Sequence, residues 1–254
     1  MADTRTSKAA LVIGASRGIG LSVTEALLDD SRYATVFAAC RSAETAGALK
    51  QLDAANQKLE LLRLDVCDEA SVREAAKTVE AETGRLDLLF YCAGILHDGD
   101  SMQPEKRLAD VSAESLVAAF RVNALGALLV AREFESLLKA GSNPVFAALS
   151  ARVGSIGDNR KGGWYAYRSS KAALNMMIKT LAIEWGRLPR PINCYALHPG
   201  TVATSLSEPF RGNMPPEKIF PPDRAARQLL ETINGLGTPD SGGLFAYDGT
   251  AIEW

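Results

Sequence analysis

Histidine is almost missing from this chain of 254 residues: His97 and His198 are the only two, far apart and outside any metal-ligand spacing. A zinc centre built on histidines therefore has no motif to rest on. Cysteine is scarce as well, and Cys40, Cys67, Cys92 and Cys194 are scattered with no CxxC pair. They read as small buried hydrophobes of a reducing compartment, so neither a disulfide framework nor a metal cluster is expected. Charge of one sign is also lacking. With 28 Lys+Arg against 30 Asp+Glu and a formal net charge of −2, nothing calls for a nucleic acid or an anionic membrane as partner. Charges are expected to interrupt every apolar run before it reaches the roughly 20 residues of a membrane span. The start, "MADTRTSKAALVIGA", has neither the apolar core nor the cleavage site of a signal peptide, so the expected location is cytoplasmic.

What is present is an ordinary globular composition, 47% hydrophobic and 23% charged, without linker, repeat or low-complexity segment. Short apolar runs alternate with longer amphipathic ones. The runs at 9–13, 35–40, 59–64, 86–92, 144–149 and 191–197 read as buried parallel strands, and 242–248 as a seventh. Between them lie helical patterns such as 68–84, which Asp68 can cap and Gly84 can stop. Strand–helix alternation predicts a single Rossmann-type α/β domain over 1–254, a doubly wound parallel sheet of about seven strands with helices on both faces. The stretch 201–222, "TVATSLSEPFRGNMPPEKIFPP", follows the sixth strand and is rich in Pro and Gly. Ligands of open α/β sheets bind at the carboxyl ends of the strands, so a substrate lid is expected there.

After the first strand comes "IGASRGIG", with Gly14, Ser16, Arg17, Gly18, Ile19 and Gly20 leading into a helix. The spacing is a relative of GxGxxG. Glycines let the backbone approach a pyrophosphate that then sits on the helix N-terminal amides. The second strand ends "AACRS", with Arg41 where an acid would select the ribose hydroxyl of NAD. Arg41 and Arg17 suit a 2′-phosphate, so NADP(H) is expected over NAD(H). Further on, "WYAYRSSK" (164–171) places Tyr167 and Lys171 four apart on one helical face, a spacing that Tyr165 does not share. An ammonium beside a phenol favours the phenolate, so the Tyr167 pKa is expected to fall below its usual value of about 10.

"GASRGIG", "YCAG" (91–94), "VNALG" (122–126), "YRSSK" (167–171) and "HPGTVAT" (198–204) stand in the order of the short-chain dehydrogenase/reductase family. The chain resembles that family over essentially its whole length, and most closely the C-factor and sniffer branch, which includes carbonyl reductases. The resemblance implies Tyr167 as general acid, Lys171 as its tuner and nicotinamide-ribose ligand, and Asn123 as holder of a water in a proton relay. It implies that Asp65, with Val66 beside it, meets the adenine, and that Pro199, Gly200, Val202 and Thr204 fix the nicotinamide carboxamide. Cys92, Ala93 and Gly94 stand where the family usually has NAG, with cysteine replacing asparagine. Strand five of the family usually ends in two serines; Ser150 matches the first, and Ala151 takes the place of the second, which donates to the substrate carbonyl. Ser155, on the loop towards Tyr167, is the favoured substitute, because alternation along a strand turns Ser150 away from the vacant position. The activity implied is hydride transfer between NADP(H) and a small-molecule carbonyl or alcohol, in a homodimer or homotetramer formed through the helices near 112–139 and 164–185. The contrasting expectation is a non-catalytic dinucleotide-binding protein that signals or senses redox state, which would need neither Tyr167 nor Lys171.

Overall fold

The computed structural model describes residues 7–42, 47–99, 101–212 and 214–254. The chain begins β1 (Lys8–Ile13), α1 (Gly18–Asp29), β2 (Tyr33–Cys40), α2 (Gly47–Ala55), β3 (Leu59–Arg63), α3 (Glu69–Thr83) and β4 (Leu88–Tyr91). It continues α4 (Ala113–Phe120), a π-helical turn (Arg121–Leu125), α5 (Gly126–Lys139), β5 (Val145–Leu149), α6 (Tyr165–Trp185) and β6 (Asn193–His198). The last elements are β7 (Thr201–Val202), β8 (Ile219–Phe220), α7 (Pro222–Gly235), β9 (Gly243–Ala246) and β10 (Ala251–Ile252). The main sheet has eight strands in the order β10-β9-β6-β5-β4-β1-β2-β3, and β7 and β8 form a small pair of their own. Every neighbour in the main sheet is parallel except β10 on β9. The seven expected strands are thus joined by an antiparallel edge, from a run of two residues too short to leave a periodic signal.

Both faces of the sheet are covered, which is why its strands read as unbroken apolar runs rather than alternating ones. In β1, Leu11 and Ile13 face the layer containing α3, α5 and α6, while Ala10 and Val12 face that of α1 and α7. Asp68 caps α3 by accepting the Ala70 amide, and Gly84 ends it at φ 63°, as the sequence predicts.

One sequence expectation needs correction. The helical stretch Ala113–Lys139, 27 residues, contains 18 consecutive residues of mean hydropathy 1.5 and is long and apolar enough to cross a membrane by length and composition. Arg121 alone interrupts its apolar centre. In the fold, α5 lays one stripe on the core through Val130, Ala131, Phe134 and Leu138, while Val117 and Leu125 remain exposed.

Candidate active site

The strand order reverses between β1 and β4, and the residues following both strands meet there. A Cβ on Gly14, at φ +82°, would lie 2.8 Å from the Ala93 amide nitrogen, and one on Gly20 would lie 2.2 Å from the Gly14 oxygen. Any side chain at either position collides with backbone, so the turn exists only with glycine. A Cβ on Gly18 would in turn lie 3.0 Å from the Thr204 methyl group, which brings the "HPGTVAT" segment onto the glycine loop. The first turn of α1 carries no acid and its N-cap Arg17 makes no side-chain cap, so the amides at this helix end stay open to an anion. Ser16 and Ile19 flank them half-buried, and Arg17 and Arg41 are exposed. A glycine cradle, open amides, two guanidiniums and no acid at the two described residues that follow β2, Arg41 and Ser42, fit a dinucleotide carrying an extra phosphate.

Past β3, the Asp65 side chain accepts the Cys67 amide at 2.9 Å, and its own amide donates to Ser71 Oγ. It is half-exposed, and Val66 is buried beside it. Cys92 follows β4, its amide bonded to the Ile13 carbonyl, and burial pushes its thiol pKa upward. Gly94 then lies over Asn123 and Lys171: a Cβ there would come 3.4 Å from Asn123 Oδ1 and 3.7 Å from Lys171 Nζ.

Asn123 is fully buried in the π-turn. Its Oδ1 accepts the Ile95 amide, and its Nδ2 donates to the Ile95 carbonyl and Ser170 Oγ, at 2.8, 2.8 and 3.0 Å. The side chain is therefore spent on shaping the cleft, and a water in the relay would have to be held by main chain of this turn.

Lys171, on α6, is buried, and Nζ donates to the Leu149 carbonyl at 2.7 Å while standing 5.8 Å from the Tyr167 ring centroid. Burial lowers its pKa from the usual 10.5 to about 8. The expected fall of the Tyr167 pKa is not found: burial pushes the phenol up to about 12. The ammonium is bonded to a carbonyl on the strand, and in a desolvated site the cost of a phenolate outweighs a cation at that distance.

The two candidate serines differ sharply. Ser150 is buried and its hydroxyl donates to Asn175 Oδ1 at 2.5 Å, committing it to α6. Ser155 accepts the Asp158 amide at 3.0 Å, which leaves its own proton available to donate. Ala151 is buried and extended. Pro199 and Gly200 are half-buried and Val202 is buried, and a Cβ on Gly200, at φ +75°, would press on Phe220 and Tyr247.

Fold and site together define a class. The family model of the short chain dehydrogenases matches residues 8–214, and the chain belongs to that oxidoreductase family. The NADPH-bound carbonyl reductase from chicken fatty liver shares the fold with a TM-score of 0.87 at 28% identity, covering 98% of this chain and 99% of that one. The carbonyl reductase Sniffer of D. melanogaster gives 0.86 at 28% identity, covering 98% and 100%. The C-signal protein of Myxococcus xanthus is 35% identical over 172 residues, 68% of this chain and 95% of that protein.

Several side chains around the cleft went unnoticed in the sequence. Glu105 is buried, and both its carboxylate oxygens accept the Ala166 amide, at 3.3 and 3.2 Å. Trp164, Phe210 and His97 converge beside Tyr167 from three separate loops. Tyr91 donates its hydroxyl to the Val122 carbonyl at 2.6 Å, pinning the π-turn. No local spacing announces these contacts, because each partner is more than thirty residues away or lies in an irregular segment.

Proposed function

We propose that this protein is an NADPH-dependent reductase of a small carbonyl compound, or the corresponding alcohol dehydrogenase in reverse. The observation that carries the reading is the meeting of Asn123 and Lys171 beneath Gly94, with the Tyr167 ring 5.8 Å from the Lys171 ammonium, beside the glycine cradle. The two carbonyl reductases of like fold support it, one of them bound to NADPH. The nicotinamide, when bound, supplies the hydride. Gly14, Ser16, Gly18, Ile19 and Gly20 would hold the pyrophosphate, Arg17 and Arg41 the 2′-phosphate, and Asp65 with Val66 the adenine. Ala93 and Gly94, after Cys92, would floor the nicotinamide half, with Pro199, Gly200, Val202 and Thr204 on its carboxamide.

Tyr167 is the general acid. Its pKa of about 12 keeps the phenol protonated through the working range, ready to donate as the carbonyl oxygen gains charge. Lys171 binds the cofactor ribose, and with main chain around Asn123 it returns a proton from solvent. Ser155 stands in for the serine replaced by Ala151 and donates to the carbonyl oxygen. The segment 201–222, closed at its base by the β7–β8 pair, acts as the substrate lid. The apolar residues left exposed on α4 to α6, Val117, Leu125, Met176 and Ile183, are read as subunit contacts of a dimer or tetramer. The test is NADPH consumption across a panel of aldehydes and ketones, with Tyr167→Phe as control. Wild-type turnover that the variant loses supports the reading; NADPH binding without turnover of any carbonyl would move it to a non-catalytic dinucleotide-binding protein.

A further inference from the structure

Trp164 is the one non-glycine residue with positive φ among the described residues, at φ 53° and ψ 46°. It follows Gly162 and Gly163, at φ 63° and 66°, so three consecutive residues take a left-handed conformation that only the first two tolerate freely. A bulky side chain in that region is strained, and strain of this kind persists only where surrounding contacts impose it. Those contacts come from Glu105. Its carbonyl accepts the Trp164 amide at 2.6 Å, and its buried carboxylate accepts the Ala166 amide two residues on, in the first turn of α6. A carboxylate at a helix N-terminus is electrostatically favoured, which offsets part of its burial cost.

The indole held in this way sits between the candidate general acid and the 201–222 segment. Its ring is edge-on to Tyr167 at 6.3 Å between centroids and 5.0 Å from Phe210. Phe210 is itself 6.0 Å from His97, whose Nε2 lies 3.2 Å from the Ser205 carbonyl. Three loops thus meet in one aromatic cluster beside the phenol. A glycine at 164 would leave the backbone turn intact and unstrained, so the indole itself is what the strain sustains.

We infer that Trp164 is a specificity-determining residue of this site: with Phe210 it forms an aromatic wall that selects carbonyl substrates bearing a flat, unsaturated substituent. The inference rests on the reductase reading above, with the carbonyl carbon placed at Tyr167 and its substituent against the indole. Flat substituents gain offset or edge-to-face contacts with the two rings, whereas a small flexible chain gains little.

The experiment compares 2-naphthaldehyde with butanal in wild type, Trp164→Gly and Phe210→Leu, alongside calorimetric titration of the NADP-loaded protein with 2-naphthamide, which is flat and lacks a reducible aldehyde. Glycine suits the left-handed turn, so Trp164→Gly is expected to melt no lower than wild type. The wall predicts that Trp164→Gly loses roughly tenfold in kcat/KM for 2-naphthaldehyde, the scale of aromatic pairing, while butanal and NADPH affinity change less than about twofold. Phe210→Leu follows in the same direction with a smaller loss. Equal losses for both aldehydes would overturn the inference and make Trp164 a support of α6 alone; unchanged kinetics for both would overturn it as well. If wild type reduces neither these aldehydes nor any carbonyl of the panel, the reductase reading fails separately. In that case 2-naphthamide binding that disappears in Trp164→Gly still upholds the wall, and binding that is absent or unaffected removes it.

Discussion

The two ends of the cleft are built by opposite means. At the glycine-rich end the fit is backbone against backbone: Gly20 against Gly14, Gly14 against Ala93, with no room for a methyl group. At the aromatic end the fit is side chain against side chain: Trp164 and Tyr167 at the start of α6 meet Phe210 and His97 from two loops that sequence separates from them by dozens of residues. The first kind of site admits one ligand shape and tolerates almost no change. The second can be retuned by single substitutions without touching the fold, as expected where scaffold and specificity are carried by different parts of a domain. Between them stand Tyr167 and Lys171, on a helix that belongs to both.

The largest effect that separates the two ends is expected at their junction. Tyr167→Phe removes the proposed proton donor and leaves the cradle untouched, so kcat is expected to fall by about 10²–10⁴, the usual worth of general acid catalysis. NADPH titration of the same variant checks that binding is retained; a comparable loss of affinity would place Tyr167 in the cofactor site alone. Next comes the proposed carbonyl donor. Ser155→Ala is expected to lower kcat/KM by about 10²–10³, again without loss of NADPH binding, whereas Ala151→Ser changes little. A harmless Ser155→Ala together with a large gain from Ala151→Ser would mean that the site has lost its donor.

How much of this could be read from the chain follows the same division. The glycine loop, Tyr167 with Lys171, and the capped helix α3 were legible because each depends on residues within a few positions of one another. The antiparallel β10 was missed because a two-residue edge strand has no period. The apolar length of Ala113–Lys139 was missed because Arg121 seemed to divide it, whereas the helix runs on through a π-turn. Glu105 reads as a surface acid in "QPEKRL" and proves buried against a helix end 61 residues away. The Tyr167 pKa went the other way because spacing reports that a charge is near but not how much water has been removed.

Two smaller effects sharpen the contrast within the cradle itself. Arg41→Ala is expected to weaken NADPH binding by roughly 1.5–3 kcal/mol, the scale of hydrogen bonds to a charged group, and to leave NADH nearly unchanged. Titration with both cofactors decides it, and equal losses would remove the 2′-phosphate assignment. Lys171→Met, in contrast, is expected to stabilise the fold. Burial depresses the Lys171 pKa to about 8 from 10.5, so the charged form is disfavoured in the folded state. That cost is fully present below pH 8 and is relieved as pH rises towards 10.5, where the folded protein releases its proton first. With the lost bond to the Leu149 carbonyl set against it, the gain at neutral pH is about 2 kcal/mol, on the order set by one to two units of pKa. Urea unfolding at neutral pH and near pH 10 checks both the sign and its disappearance; a less stable variant at neutral pH would show that Lys171 is held favourably after all.

The central claim is that hydride reaches a carbonyl carbon in this cleft while the proton comes through Tyr167. It is tested most directly by turnover of an aldehyde with NADPH deuterated at the transferable position of nicotinamide C4, followed by mass analysis of the alcohol. The account predicts the label on the carbinol carbon with wild type and its loss, together with turnover, with Tyr167→Phe. Labelled product formed equally well by the variant would contradict the role of the phenol, and no labelled alcohol from any aldehyde would contradict the reductase itself.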